Sequence, residues 1–65
     1  MKVYEFTTDC YHYGQQFKDL VNIFAVDIEG ALLNFGQYYK GLQSDYGSGN
    51  VGCWVLESVS SVEEE

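Results

Sequence analysis

The apolar residues of this chain change their spacing once, at Asp27, and that change restricts what the chain can fold into. Across residues 17–26 they follow a period of two, with Val21, Ile23 and Ala25 on one face and Leu20, Phe24 and Val26 on the other. Beyond Asp27 the period lengthens to about 3.6, because Ile28, Ala31, Leu32, Phe35 and Tyr39 form one helical stripe. A strand with two apolar faces therefore runs directly into an amphipathic helix, and the helix must return over the sheet to bury its stripe.

The helix has its own boundary signals. Asp27 can accept from the free amides of the first turn, and Glu29 adds negative charge where the helix dipole favours it. Lys40 and Gly41 have the characters of a last turn and a left-handed cap, which predicts a helix ending near residue 40. Gly30 and Gly36 each weaken it by about 1 kcal/mol relative to alanine, so packing must hold it in place.

On either side of this pair, residues 2–8 are β-branched and aromatic enough for a first strand ending at Asp9. Residues 9–16 carry Gly14 among polar side chains and read as a loop containing Tyr11 and Tyr13. Residues 41–52 hold four glycines with serine, aspartate and asparagine, the composition of a long flexible connector. Residues 53–59 form a third strand, and an acidic tail over 60–65, ending in Val62-Glu63-Glu64-Glu65, is expected to fray.

Strand, strand, helix, strand predicts an α+β domain of ββαβ type, a three-stranded sheet with one helix packed on one face, over residues 1–65. A right-handed crossover makes the second and third strands parallel, with the first between them and antiparallel to both. Seven strand residues span about 23 Å and twelve helical residues about 18 Å, so the lengths match. One helix covers one face only. Leu20, Phe24 and Val26 should therefore stay uncovered unless a second copy or another partner packs there.

Composition bears on partners more than on fold. At 46% apolar and 17% aromatic, a chain of 65 residues can build one core but not two. Three lysines, no arginine and ten Asp or Glu give a net charge of −7, which disfavours direct binding to nucleic acid and favours a basic partner. No apolar run exceeds Ile23-Phe24-Ala25-Val26, so neither a signal peptide nor a membrane span is expected, and the expected location is the cytoplasm. There Cys10 and Cys53 would normally remain thiols, although the topology brings them near enough for a bridge under oxidising conditions.

Chemistry-bearing patterns are few. Gly47-Ser48-Gly49-Asn50-Val51-Gly52 matches the GxGxxG string, but it precedes a strand instead of opening a helix, so it is not read as nucleotide-binding. Cys10, His12 and Cys53 could meet at one end of the sheet, yet they lack the paired spacing of a zinc site and the orienting acid of a nucleophilic pair. No catalytic residue, metal ligand or cofactor site is assigned. Trp54 reads as a core residue, and Tyr11, Tyr13, Tyr38, Tyr39 and Tyr46 divide between core, rim and recognition surface.

The acidic residues carry the functional reading. With the helix running back along the second strand, Asp9, Asp19 and Asp45 should gather at one end of the molecule. Asp27, Glu29 and the tail glutamates should gather at the other, with Glu5 and Glu57 on the central sheet. Lys2, Lys18 and Lys40 are too few to neutralise them. A net charge of this size also serves solubility alone. Duplex DNA carries about twelve charges per ~20 Å of axis, and this chain offers about half that density, enough to imitate part of a phosphate backbone.

In length, charge and apparent topology the whole chain resembles the small acidic phage and mobile-element proteins that inhibit bacterial defence, in particular anti-CRISPR proteins acting on type I effector complexes. The segments Val3-Tyr4-Glu5-Phe6, Ala25-Val26-Asp27-Ile28-Glu29-Gly30-Ala31-Leu32 and Trp54-Val55-Leu56-Glu57-Ser58-Val59 are similar in style to small phage proteins. The resemblance implies a mode of action, stoichiometric and non-enzymatic blocking of a positively charged nucleic-acid-binding surface by acidic side chains; the topology, not the resemblance, puts forward Glu5, Asp9, Asp19, Asp27, Glu29, Asp45 and Glu57 for that contact. The competing expectation is a homodimeric acidic scaffold or adaptor that associates through Leu20, Phe24 and Val26.

Overall fold

In the computed structural model, which describes residues 1–62, the chain forms β1 (Lys2–His12), β2 (Gln15–Ala25), α1 (Ile28–Tyr46), a short 3-10 turn (Ser48–Asn50) and β3 (Val51–Ser61). The sheet order is β2-β1-β3, with β1 antiparallel to both neighbours. The fold is the expected α+β arrangement, ββαβ. Its extents are 44 × 17 × 17 Å, the long axis reflecting three strands of eleven residues each.

Strict alternation along β1 puts Tyr4, Phe6, Thr8 and Cys10 under the helix, all buried. Phe6 stacks on Phe35 of α1 with ring centroids 4.2 Å apart, and Ala25 and Ala31 let helix and sheet approach beside them. A second cluster lies toward the hairpin end, where Leu42 packs on Cys10 and Val51 with Phe17 and Tyr46 around them. That cluster explains why the helix passes the expected stop at Lys40 and Gly41. Leu42 follows Phe35 by seven residues and Tyr46 follows Leu42 by four, so the buried face continues and offsets the cost of about 1 kcal/mol for Gly41.

The helix ends instead at Gly47, whose φ of 92° suits glycine and whose N–H bonds to the Gln43 carbonyl at 2.9 Å. Asn50 Nδ2 donates to the Tyr46 carbonyl at 2.7 Å, supplying a partner for one of the last helical acceptors. The expected long connector over 41–52 is thus half helix, then a turn, then the start of β3. At the other end Asp27 caps the helix as expected, Oδ1 accepting from the Gly30 N–H at 2.9 Å.

The expected aromatic loop over 9–16 is also regular structure. β1 and β2 pair without interruption to His12 and Gln15, and only Tyr13 and Gly14 turn the chain, both with positive φ, 51° and 78°. This is the two-residue hairpin pattern that matches strand twist. β2 ends at Ala25, so Val26 lies beyond the strand and not on its face. β3 begins and ends two residues outside the expected 53–59, and the Val62 N–H bonds to the Met1 carbonyl at 3.0 Å. The expectation for Glu63, Glu64 and Glu65 lies outside the described residues.

Three positions expected in the core lie at the surface. The helix packs mainly over β1 and β2, so Trp54, on the helix side of β3, stays partly exposed while touching Phe35 at 5.2 Å and Phe6 at 5.7 Å. Ile28 and Leu32, placed in the buried stripe by periodicity, are also exposed. The buried stripe is Ala31, Phe35 and Leu42 with Tyr38 and Tyr39 beside it.

Candidate functional site: the open face of the sheet

Cross-strand partners in a sheet point to the same face, so the register determines what the uncovered side presents. Val3, Glu5, Thr7 and Asp9 of β1 stand opposite Phe24, Asn22, Leu20 and Lys18 of β2. On β3, Ser60, Ser58 and Val55 oppose Val3, Glu5 and Thr7. No element of the described chain packs over this face, and Leu20 and Phe24 are each 56% exposed.

Glu57 joins the face through a bulge. The β1–β3 register slips between Glu5 and Phe6, because Leu56 pairs with Phe6 while Ser58 already pairs with Glu5, leaving Glu57 as the extra residue. Its Oε1 accepts from the Thr7 hydroxyl at 2.8 Å, which holds the carboxylate over the middle of the sheet. Glu5 and Asp9 are four strand positions apart, about 14 Å, with Thr7 and its Glu57 partner between them. Three carboxylates therefore lie along β1, and the one lysine in this part of the face is Lys18, opposite Asp9.

The remaining expected acids do not join them. Asp9 and Asp19 do approach the same end of the molecule, but Asp19 pairs with Thr8, so it points to the helix side and accepts from the Tyr38 hydroxyl. Asp45 is exposed in the last turn of α1, and Asp27 is occupied as the helix cap. Glu29 is exposed in the first turn, about 24 Å from Asp45 along the helix. The seven residues expected to contact the partner thus divide, by strand alternation and helix placement, into a trio on the open face, Glu5, Asp9 and Glu57, and four groups elsewhere.

The Asp19–Tyr38 contact has a pH signature. Burial, then the bond to the Asp19 carboxylate, push the Tyr38 pKa from 10.0 up to about 12. A group held protonated by folding contributes stability that is complete below its unfolded pKa and is lost as pH rises through the folded one. The loss therefore falls between pH 10 and about 12. Cys10 acts in the same direction from 9.0, its thiol raised by burial and by the Asp19 and Asp9 charges. In urea melts across this range, Tyr38→Phe should show a shallower alkaline decline than the parent protein; an unchanged slope would mean that the hydroxyl does not carry it.

Other candidate chemistry is dispersed. Cys10 is buried and Cys53 exposed, and both are free thiols. His12 is exposed and packs between Tyr13 and Tyr46. The glycine-rich string serves the backbone: Gly47 caps α1, and a side chain at Gly52 would stand 3.5 Å from the Asp9 carbonyl. A second bulge lies there, and Tyr39 donates to the Gly52 carbonyl at 2.8 Å. Among the described residues there is no pocket, no group of three or more His, Cys, Asp or Glu placed to hold a metal, and no helix long and apolar enough to cross a membrane. No family model, curated protein or solved structure matches this chain.

Sequence reasoning placed Glu5 and Glu57 on the sheet but missed that Asp9 completes their face. The signal was present in β1, where Val3, Glu5, Thr7 and Asp9 alternate with Tyr4, Phe6, Thr8 and Cys10 through Asp9 without a break.

Proposed function

We propose that this protein is a non-enzymatic inhibitor of anti-CRISPR type, which lays the open face of its sheet against a positively charged nucleic-acid-binding surface of an effector complex and blocks target DNA. The observation that carries the reading is the row Glu5, Glu57 and Asp9 on a rigid, uncovered sheet. Three charges over about 14 Å compare with about four on one strand of a duplex and about eight on both. The face thus imitates a single phosphate strand better than a duplex. Leu20 and Val55, opposite Thr7 between the acids, and Phe24, beyond Glu5 beside Val3, would add apolar contact once the surfaces meet.

A homodimeric scaffold is the second reading, favoured by the 56% exposure of Leu20 and Phe24; Val26, at 73%, lies past the strand end. Face-to-face pairing would oppose six carboxylates with only two copies of Lys18 between them, so charge complementarity favours a basic partner.

Titration of the protein into purified CRISPR effectors, with target-DNA binding as the readout, tests the proposal. DNA binding should fall at stoichiometric protein, and direct binding of the protein to the effector should weaken as salt rises. Unchanged DNA binding at saturating protein across the effectors tried would remove it, and a salt-insensitive dimer in sedimentation would favour the scaffold.

A further inference from the structure

The hairpin end carries a residue whose backbone and side chain are both out of keeping with a purely structural role. Tyr13 sits at φ 51° in the Tyr13-Gly14 turn, a left-handed conformation that asparagine, aspartate or glycine adopts at less cost. Its side chain is 93% exposed, so core burial does not compensate. Strain retained under such conditions points from the outlier toward function.

The surroundings define what the ring could meet. Tyr13 packs on His12 at 4.2 Å, His12 lies edge-on to Tyr46 at 5.3 Å, and Tyr46 lies edge-on to Phe17 at 5.6 Å. An aromatic row therefore runs from the second core cluster outward to Tyr13, which ends the row almost wholly exposed at the hairpin tip. Asp45 is exposed beside Tyr46 in sequence, Asp9 lies three residues before His12, and the chain carries −7 overall. The nearby cation on the paired strands is Lys18, opposite Asp9 on the open face. An exposed π-face in a negative field attracts a cation, and a planar guanidinium stacks on it better than an ammonium.

We infer that Tyr13 is a recognition residue which stacks on an arginine side chain of the partner, with His12 beside it. This rests on the basic partner of the proposed function and names its chemistry at one contact. Asparagine at the same position is the diagnostic substitution, because Asn-Gly is the preferred pair for this turn.

Nona-arginine and nona-lysine peptides at low ionic strength serve as probes, with affinity and melting temperature measured together. The parent protein should bind nona-arginine about fivefold more tightly than nona-lysine. Tyr13→Asn should bring that ratio close to one while raising the melting temperature by several degrees, and Tyr13→Phe should keep the ratio. The triple variant Glu5→Gln, Asp9→Asn, Glu57→Gln should bind both peptides more weakly with the ratio intact. Tight binding of both peptides without preference in the parent, a ratio unchanged in Tyr13→Asn, or a lower melting temperature for that variant would each overturn the inference while leaving the acidic face in place. Binding of neither peptide would remove both.

Discussion

Replacing Phe6 by alanine should leave a large share of the protein unfolded at 25 °C. Phe6 is 0% exposed in the central strand, stacks on Phe35 at 4.2 Å and 13°, and meets the edge of Trp54 at 5.7 Å. Deleting a buried phenylalanine side chain costs about 3–5 kcal/mol, because the lost transfer free energy adds to that of the cavity left behind. A 65-residue domain has only about 3–10 kcal/mol of total stability. Collapse around the cavity is limited, since both neighbouring strands and the helix already meet at this ring. Urea melts followed by far-UV circular dichroism should show a midpoint near zero, or a loss of about 15–30 °C in melting temperature. Phe6→Leu, which keeps most of the volume, should cost about 1–2 kcal/mol. A loss below that for the alanine variant would mean the Phe6–Phe35 stack does not organise the core.

The second large effect concerns partner binding. Converting Glu5→Gln, Asp9→Asn and Glu57→Gln should weaken binding to the basic surface by about a hundredfold or more, at roughly 1 kcal/mol per charge pair at low salt. Folding should survive, because glutamine at 57 can still accept from Thr7 and like charges along β1 are removed. The informative control changes the same net charge, from −7 to −4, at Asp27→Asn, Glu29→Gln and Asp45→Asn. Asparagine still caps a helix, and these three positions lie off the open face, so the loss there should stay under about tenfold. Equal losses in the two triple variants would show that bulk charge, not the row on the sheet, governs binding. The parent's affinity should also fall more steeply with salt than that of the open-face variant.

Among the described residues α1 is the one helix of more than a single turn, which limits how far the molecule can cover its own apolar surface. α1 packs mainly over β1 and β2, so Ile28 and Leu32 on the helix and Trp54 and Val59 on β3 keep exposed apolar area on the helix side. On the other side, Leu20, Phe24 and Val55 are uncovered among the acids. A 65-residue chain with 46% apolar residues has more apolar surface than one helix and three strands can bury. Both faces therefore expose apolar side chains, and the row of carboxylates distinguishes the open one.

Legibility from sequence differed by the range of the interaction involved. The period change at Asp27, the Asp27 cap and the order of elements are local properties, and the structure has each of them. The turn at Tyr13-Gly14 was illegible because tyrosine is an uncommon occupant of positive φ, and polar residues 9–16 looked like a loop while they extend both strands. The helix end was misplaced because Gly41 and Gly47 offer the same local signal. Only the contacts of Leu42 with Cys10 and Val51 decide between them.

Local residue preference and periodicity by themselves determined the element order ββαβ, since strand alternation, a helical stripe and a capping carboxylate act over a few residues, and the handedness of the crossover added the central first strand. Tertiary structure alone decided which carboxylates stand together. Alternation sends Asp9 and Asp19 to opposite faces, a bulge turns Glu57 toward Thr7, and the sideways placement of the helix leaves Trp54 at the surface. Each of these depends on register and packing between segments far apart in the chain, and side-chain direction reverses with a shift of one residue.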